Sequence, residues 1–416
     1  MTAQDTFDES DYGGKDAWLF LAAAFMVESL VWGFPFSYGV FQQYYSTHEP
    51  FAGSSNIALI GTVSSGIMYL DSLIVFGAMK AFPKLRRPFA VIGLVILCLA
   101  LGLSSFSQTV THLIATQGLL YGIGGSIAYS PTILFLNEWF IRRKGLAFGI
   151  MWAGTGLAGV VLPFLMQWLL DSYGFRTTLR IWALAVCILT APLLYYLKPR
   201  LPVSPAMHAR RLDFRFATTR VFGMLQIGSV VESLGFFLPS IYLPMHATAL
   251  GASGFKSSLT LTLLNLMSVV GCVFMGIAVD RFHITTCIML STVGTCVAVF
   301  LFWGLASNLT LLYLFSMIYG LFAGSYSTTW SGIVRDVQKV NNAADTGLIF
   351  ALLAVGKGLG NVVSGPLSEV LLKAGTGWGG RSKFAYDNGY GGLIAFTGVT
   401  AFFGGFSYLG HRVGWI

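Results

Sequence analysis

The chain has 416 residues, of which 55% are hydrophobic and 10% charged, and its mean hydropathy is +0.72. A soluble domain carries about 25% charged residues, so this composition excludes an ordinary water-soluble fold and points to a polytopic, all-α membrane protein. The net charge of +8 is not a nucleic-acid signal, because the cations gather at the ends of apolar segments, and no nucleic-acid partner is expected.

Residues 1–16 hold Asp5, Asp8, Glu9, Asp11 and Asp16 against Lys15 alone. A secretory signal opens on cations, so this stretch reads as a short cytoplasmic tail. Twelve apolar segments follow, at 17–41, 57–79, 88–107, 111–136, 145–169, 179–197, 220–243, 256–279, 285–305, 310–333, 345–371 and 391–411. Each approaches the roughly 20 residues that cross a bilayer. They divide into a six-helix bundle at 17–197, a linker at 198–219 and a second bundle at 220–416. The linker holds Pro199, Pro202 and Pro205 and then a basic run. It reads as a solvated connection, with membrane-surface contact as the functional alternative. Connections after even-numbered segments contain sixteen lysines and arginines, and those after odd-numbered segments six. Lysine and arginine stay on the cytoplasmic side, which places both termini there. The sequon Asn308-Leu309-Thr310 then lies outside but close to the membrane, and is expected to stay unmodified.

The fifth segment is the most informative. It begins with Arg142, Arg143 and Lys144 and continues without charge to Leu170. The three cations read as an orientation anchor and part of a cytoplasmic gate. Gly145, Gly149, Ala153, Gly154, Gly156 and Gly159 give it a small-residue face on which a neighbouring helix can lie close. Gly154 to Gly159 also spells GxGxxG, but no strand precedes it, so dinucleotide binding is not supported. The cysteines (Cys98, Cys187, Cys272, Cys287, Cys296) show no metal spacing, and the six histidines form no ligand pair. No cofactor, no metal and no enzymatic activity are expected.

The two halves repeat at an offset near 200. Val27-Glu28-Ser29-Leu30 returns as Val231-Glu232-Ser233-Leu234, Tyr121-Gly122 as Tyr319-Gly320, Gly125-Ser126 as Gly324-Ser325, and Gly77 as Gly276. Gly154-Thr155-Gly156-Leu157 returns as Gly356-Lys357-Gly358-Leu359. Two pseudo-symmetric halves suggest a secondary transporter with its site between them near the bilayer midplane.

Charged groups at helix centres cost on the order of 3 kcal/mol on insertion scales and usually face a cavity. Glu28, Asp71, Glu232 and Lys357 are such groups. Lys357 is a candidate counter-charge for an anionic substrate, the structural alternative being a permanent ion pair with one of the acids. Glu28, Glu232 and Asp71 are candidates for proton coupling, Asp71 also for a gate or packing contact. Trp32, Trp152, Phe236, Asn265, Tyr326, Trp330 and Asn361 suit a pocket with apolar walls and a few polar groups. Such a pocket would take an amphipathic or ring-containing organic anion.

Gly276 to Arg281, including Asp280, resembles the loop motif that follows helix 8 in the major facilitator superfamily; the equivalent stretch Gly77 to Arg87 lacks the aspartate. Asp11, Gly13, Gly14 and Trp18, and then Trp139-Phe140, Arg142 to Lys144, Leu146-Ala147, Gly149 and Ala153-Gly154, resemble the helix 1 and helix 5 motifs of its monocarboxylate-transporter family. Trp32 to Ser37 and Tyr173 to Thr178 are similar to the fungal branch. The resemblance implies a twelve-helix major facilitator fold with helices 1 and 7 lining the cavity, and gating roles for Asp280 and Arg281. It implies a lipid-embedded transporter, in the plasma membrane, of a small organic acid or, in the export variant, of a secondary metabolite. A monomer suffices for this, and a non-transporting nutrient sensor is the alternative of another class. Animal members carry a lysine after the Phe-Pro of helix 1 and an Asp/Arg pair in helix 8. Here Phe36 holds the first position and 257–279 is uncharged, so proton–lactate symport does not carry over.

Overall fold

The computed structural model describes residues 14–54, 56–201, 213–375 and 385–415. The acidic tail with Asp11 and Gly13, Pro202 and Pro205 with Arg210 and Arg211, and the loop cations Arg381 and Lys383 lie outside the described residues.

Among the described residues the regular structure is helical throughout, without strands. Eleven stretches are long and apolar enough to cross a membrane. They begin with α1 (Lys15–Thr47), α2 (Ile57–Ala81), α3 (Pro83–Ser104) and α4 (Val110–Trp139), followed by Lys144–Tyr195. Then come α7 (Arg220–Ala249), α8 (Gly254–Arg281), α9 (Ile284–Trp303), α10 (Leu309–Val340), α11 (Thr346–Gly375) and α12 (Gly391–Arg412). The 52-residue stretch Lys144–Tyr195 would be about 78 Å long as one straight helix, more than twice the bilayer core. It is divided at Gly174, whose φ of +71° and ψ of 170° suit a residue without a side chain. Residues 144–173 form α5 and 175–195 form α6, which makes twelve crossings. The turn between them is tighter than the sequence suggests: helix runs up to a single glycine, and Thr178 Oγ1 donates to Gly174 O at 2.8 Å.

The glycines of α5 face two helices. Gly154 lies on α1, where an added Cβ would come within 2.5 Å of Phe25 O. Gly145, Gly149, Gly156 and Gly159 lie on α8, against the backbone or side chains of Gly276, Cys272, Val269 and Asn265. The GxGxxG stretch is therefore a close-packed helix surface on both sides. A second contact of the same kind joins α2 to α11: a Cβ on Gly358 would meet Tyr69 Cβ at 2.8 Å, and one on Gly66 would meet Val362 at 2.9 Å. Under the repeat, α5 corresponds to α11 and α8 to α2, so the two seams correspond to each other.

The motif residues before α5 also touch α1. Trp18 meets Phe140 edge to face at 5.9 Å between ring centroids, and Phe20 stacks on Trp139 at 6.0 Å. The start of the linker is pinned to α4: Glu138 Oε2 accepts from Arg200 N and Leu201 N, and Trp139 Nε1 donates to Lys198 O.

Candidate functional site

Two glutamates and one lysine are buried inside the bundle. Glu28 on α1 and Glu232 on α7 are 2% and 7% exposed, and Lys357 on α11 is 2% exposed. Their settings follow the repeat. Glu28 Oε1 accepts a long hydrogen bond of 3.4 Å from Thr155 Oγ1 of α5, and its Oε2 has no protein partner. In the other half Glu232 accepts from Ser233 Oγ at 3.5 Å, and Lys357 stands where Thr155 stands in the first half. Glu232 and Lys357 act on each other electrostatically, yet among the described residues no carboxylate comes within the 4.0 Å of an ion pair with Lys357. Lys357 Nζ donates instead to Ser327 Oγ at 3.1 Å and sits 3.7 Å above the ring of Phe236. It also lies 5.9 Å from the ring centroid of Phe237, and a buried ammonium with one hydroxyl and ring faces has donor capacity left.

The walls are aromatic. On the first-half side, Trp32 packs against Tyr69 of α2 at 4.6 Å and Tyr129 of α4 at 5.3 Å. On the second-half side α10 leaves regular α geometry at Tyr326–Thr329, a 3-10 turn between Leu309–Phe322 and Trp330–Val340. That break presents Tyr326, Ser327 and Trp330. Trp330 meets Trp152 of α5 at 5.9 Å and Phe350 of α11 at 6.5 Å, and Trp152 meets Phe148 at 5.1 Å. Trp152 and Trp330 therefore join the two halves by their rings.

Asn265 and Asn361 lie in the seams. Asn265 Nδ2 donates to Gly159 O at 3.2 Å across α8–α5, and Asn361 Nδ2 donates to Ser65 Oγ at 2.7 Å across α11–α2. Their amide nitrogens are engaged in helix contacts. Asp71 sits at the helix break between Leu70 and Ser72, beside Ser126 of α4.

The basic end of the bundle is closed. Asp280 at the end of α8 accepts from Gly145 N at 2.7 Å and Leu146 N at 2.9 Å. These are amides of the first turn of α5, which helix geometry leaves without a partner. Arg142 and Arg143 are exposed beside this cap and Lys144 is half-buried. Arg281 ends α8 and is exposed. On the other seam, Lys80 of α2 pairs with Asp345 ahead of α11 at 3.3 Å, and Ser72 Oγ donates to Ala351 O at 3.2 Å.

Of the residues expected from the sequence, Lys357, Glu28, Glu232, Trp32, Tyr326, Trp330 and Trp152 are thus buried or half-buried in the bundle interior as a candidate site, and Asn265, Asn361 and Asp71 lie in helix contacts around it. Ser327, Tyr69, Tyr129 and Phe350 escaped the sequence. A serine or tyrosine in an apolar helix carries no signal of its facing, although Ser327 directly follows the singled-out Tyr326.

A sequence model described as the Major Facilitator Superfamily matches residues 17–224 and 225–411. The chain is 27% identical over 363 residues to the MFS-type transporter pynF of Aspergillus niger, an alignment covering 84% of this chain and 81% of that protein. It is 26% identical over 378 residues to human monocarboxylate transporter 11, covering 86% and 78%. To the fujikurins efflux protein of Gibberella fujikuroi it is 23% identical over 412 residues, covering 96% and 83%. Among solved structures, the crystal structure of the human organic anion transporter MFSD10 matches with a TM-score of 0.64 and 15% identity, over 92% of this chain and 97% of that one. This last likeness is one of fold.

Proposed function

The chain belongs to the Major Facilitator Superfamily and is a multi-pass membrane transporter, and on that premise we propose that it moves an organic anion by alternating access, with Lys357 as the anion's partner. The observation that carries this is the state of Lys357: buried, and without a carboxylate in ion-pair contact among the described residues. A lysine kept for structure would be expected to hold a direct pair, since a buried charge without one is costly.

Proton coupling falls to Glu28 rather than Glu232. Glu232 has Lys357 within electrostatic reach, whereas Glu28 has the neutral Thr155 at the matching place. A bound anion beside two ionised carboxylates and a single cation would leave uncompensated negative charge in a low dielectric. Protonating Glu28 removes one such charge. The two halves rock about the α5–α8 and α2–α11 seams. The excess of cations in connections after even-numbered segments supports cytoplasmic termini, and we assign the protein to the plasma membrane. Export of a secondary metabolite is the favoured direction, because the relatives include fungal MFS-type transporters and a protein named for fujikurin efflux.

The test is flux in proteoliposomes loaded with a pH-sensitive dye and challenged with a panel of organic acids. Flux lost in Lys357→Ala and retained in part by Lys357→Arg supports the anion site. Flux unchanged in Lys357→Ala overturns it. Saturable binding without flux for every compound would mark a sensor instead.

A further inference from the structure

Three aromatic side chains of the candidate site carry buried hydrogen-bond donors. Tyr326 is 2% exposed, Trp330 5% and Trp32 3%. The Tyr326 hydroxyl and the Nε1 of both tryptophans have no hydrogen-bond partner among the described residues. Tyr326 lies near Ser229, but the two hydroxyls do not close a hydrogen bond, and Ser229 Oγ is also without a partner. Leaving a buried donor unpaired costs about 1–3 kcal/mol, so phenylalanine would be the cheaper side chain at each place if only packing mattered. Tyr326 lies in the irregular segment of α10 and Trp330 directly follows it, and non-helical backbone at membrane depth belongs where it is buried in protein or lines a cavity.

The donors have an orderly setting. Ser327, next to Tyr326, holds Lys357 Nζ. Phe350 lies seven residues before Lys357, which puts both on one face of α11, and Phe350 carries the rings of Trp330 and Trp152 at 6.5 and 6.1 Å. The unpaired groups belong to rings whose neighbours are themselves aromatic: Trp330 against Trp152 and Phe350, and Trp32 against Tyr69 and Tyr129.

We propose that the cargo is a flat organic anion that carries, beyond its acidic group, at least one further acceptor oxygen, read by Tyr326 and Trp330. This rests on the assignment of Lys357 as the anion's partner. The acidic group takes the ammonium, the ring system stacks on the aromatic walls, and a ring carbonyl or ether oxygen accepts from Tyr326 Oη or Trp330 Nε1. A small aliphatic acid satisfies Lys357 and leaves the ring donors unpaired. Sites built to hydrogen-bond a ligand reject analogues that lack the partner atom more strongly than sites that only enclose it.

The test uses two acids of similar outline, chromone-2-carboxylate with its ring carbonyl and ring oxygen, and 2-naphthoate with neither. Affinities are read by quenching of tryptophan fluorescence in the purified full chain. The wild type is expected to prefer the chromone by about tenfold, the worth of one such hydrogen bond. Tyr326→Phe and Trp330→Phe should each reduce that ratio by a factor of about three or more, and the helical circular-dichroism signal and elution volume of each variant report that it is folded. Lys357→Ala should weaken both acids equally. A ratio near one in the wild type, a ratio unmoved by both aromatic variants, or no binding of the chromone overturns the inference. Chromone binding indifferent to Lys357→Ala overturns the anion site beneath it.

Discussion

Lys80 and Asp345 form an ion pair of 3.3 Å at the same place on the α2–α11 seam as Asp280 occupies on the α5–α8 seam. The stretch after α2 lacks the aspartate that the stretch after α8 has, and the structure supplies the acid from the opposite helix. Asp345 accepts from Leu348 N at 3.1 Å and so caps its own helix while it reaches across to Lys80. One seam is closed by a carboxylate on backbone amides, the other by a carboxylate on an ammonium. Removing the carboxylate of an N-cap costs about 1 kcal/mol, and a partly exposed ion pair is worth about 0.2–1 kcal/mol. Asp280→Ala should therefore lower the thermal midpoint of the purified protein more than Lys80→Met does. Equal shifts would show that the two closures are not different in kind.

Gly276 and Gly77 match in the repeat but differ in surroundings. A Cβ on Gly276 would lie 2.5 Å from Gly145 O, whereas one on Gly77 meets nothing within 4 Å. Backbone cannot step aside as a flexible side chain can. Gly276→Ala is expected to destabilise by about 1–3 kcal/mol through overpacking and to slow flux, while Gly77→Ala stays within about 0.5 kcal/mol. Thermal midpoints of the two variants, measured in one detergent, check this.

The two glutamates are expected to part company under substitution. Glu28→Gln should abolish substrate-driven proton movement while preserving exchange of substrate for substrate. Glu232→Gln removes the carboxylate that acts on Lys357 and should tighten anion binding, by about tenfold or less. Dye-loaded proteoliposomes and ligand titrations measure both, and proton movement surviving in Glu28→Gln would transfer the coupling role to another group.

Outside the spans, His283 joins α8 to α9 at the basic end. Its Nε2 lies 3.2 Å from Asp336 Oδ2, its Nδ1 is 2.8 Å from Thr285 Oγ1 and accepts from Thr285 N, and its ring lies 4.1 Å from that of His411. Burial pushes the imidazole below its ordinary value of 6.5; Asp336 opposes this, and His411, Lys339 and Arg335 add to it. The folded state thus prefers neutral His283. The stability this contributes is present above pH about 6.5 and is lost as the pH falls. Between pH 7.5 and 5.5 the thermal midpoint should drop, and the drop should be smaller in His283→Asn. An equal drop in both would assign the acid sensitivity elsewhere.

Much of this was legible in the chain. The small-residue face of α5 announced close packing because glycine spacing on a helix has one geometric meaning, and both of its faces are now accounted for by α1 and α8. Lys357 stood out because a cation at mid-helix is costly wherever the helix lies. Gly174 was hidden because a lone glycine among apolar residues looks like any packing glycine until its φ is known. The Lys80–Asp345 pair was hidden because its partners lie 265 positions apart, and neither is unusual at a helix end. Asn265 and Asn361 were legible as polar groups at depth but not as seam contacts, since an amide that serves a neighbouring helix has the same sequence as one that serves a ligand.

The α5–α8 seam brings bare backbone against bare backbone, with Gly145 and Gly149 facing Gly276 and Cys272. At this end of the seam no side chain has to be lifted out of a hole when the helices part or roll, whereas further along Val269 and Asn265 reach onto Gly156 and Gly159. The carbonyls along the contact already belong to helix hydrogen bonds, so sliding exposes few unsatisfied groups until Asp280 releases Gly145 and Leu146. This end of the seam is therefore a smooth rail with a catch. The polar ties across the seam include the Asp280 carboxylate on Gly145 and Leu146 at the basic end and the Asn265 amide on Gly159 further in, so a change at Asp280 would loosen one end of the seam and leave the other tied.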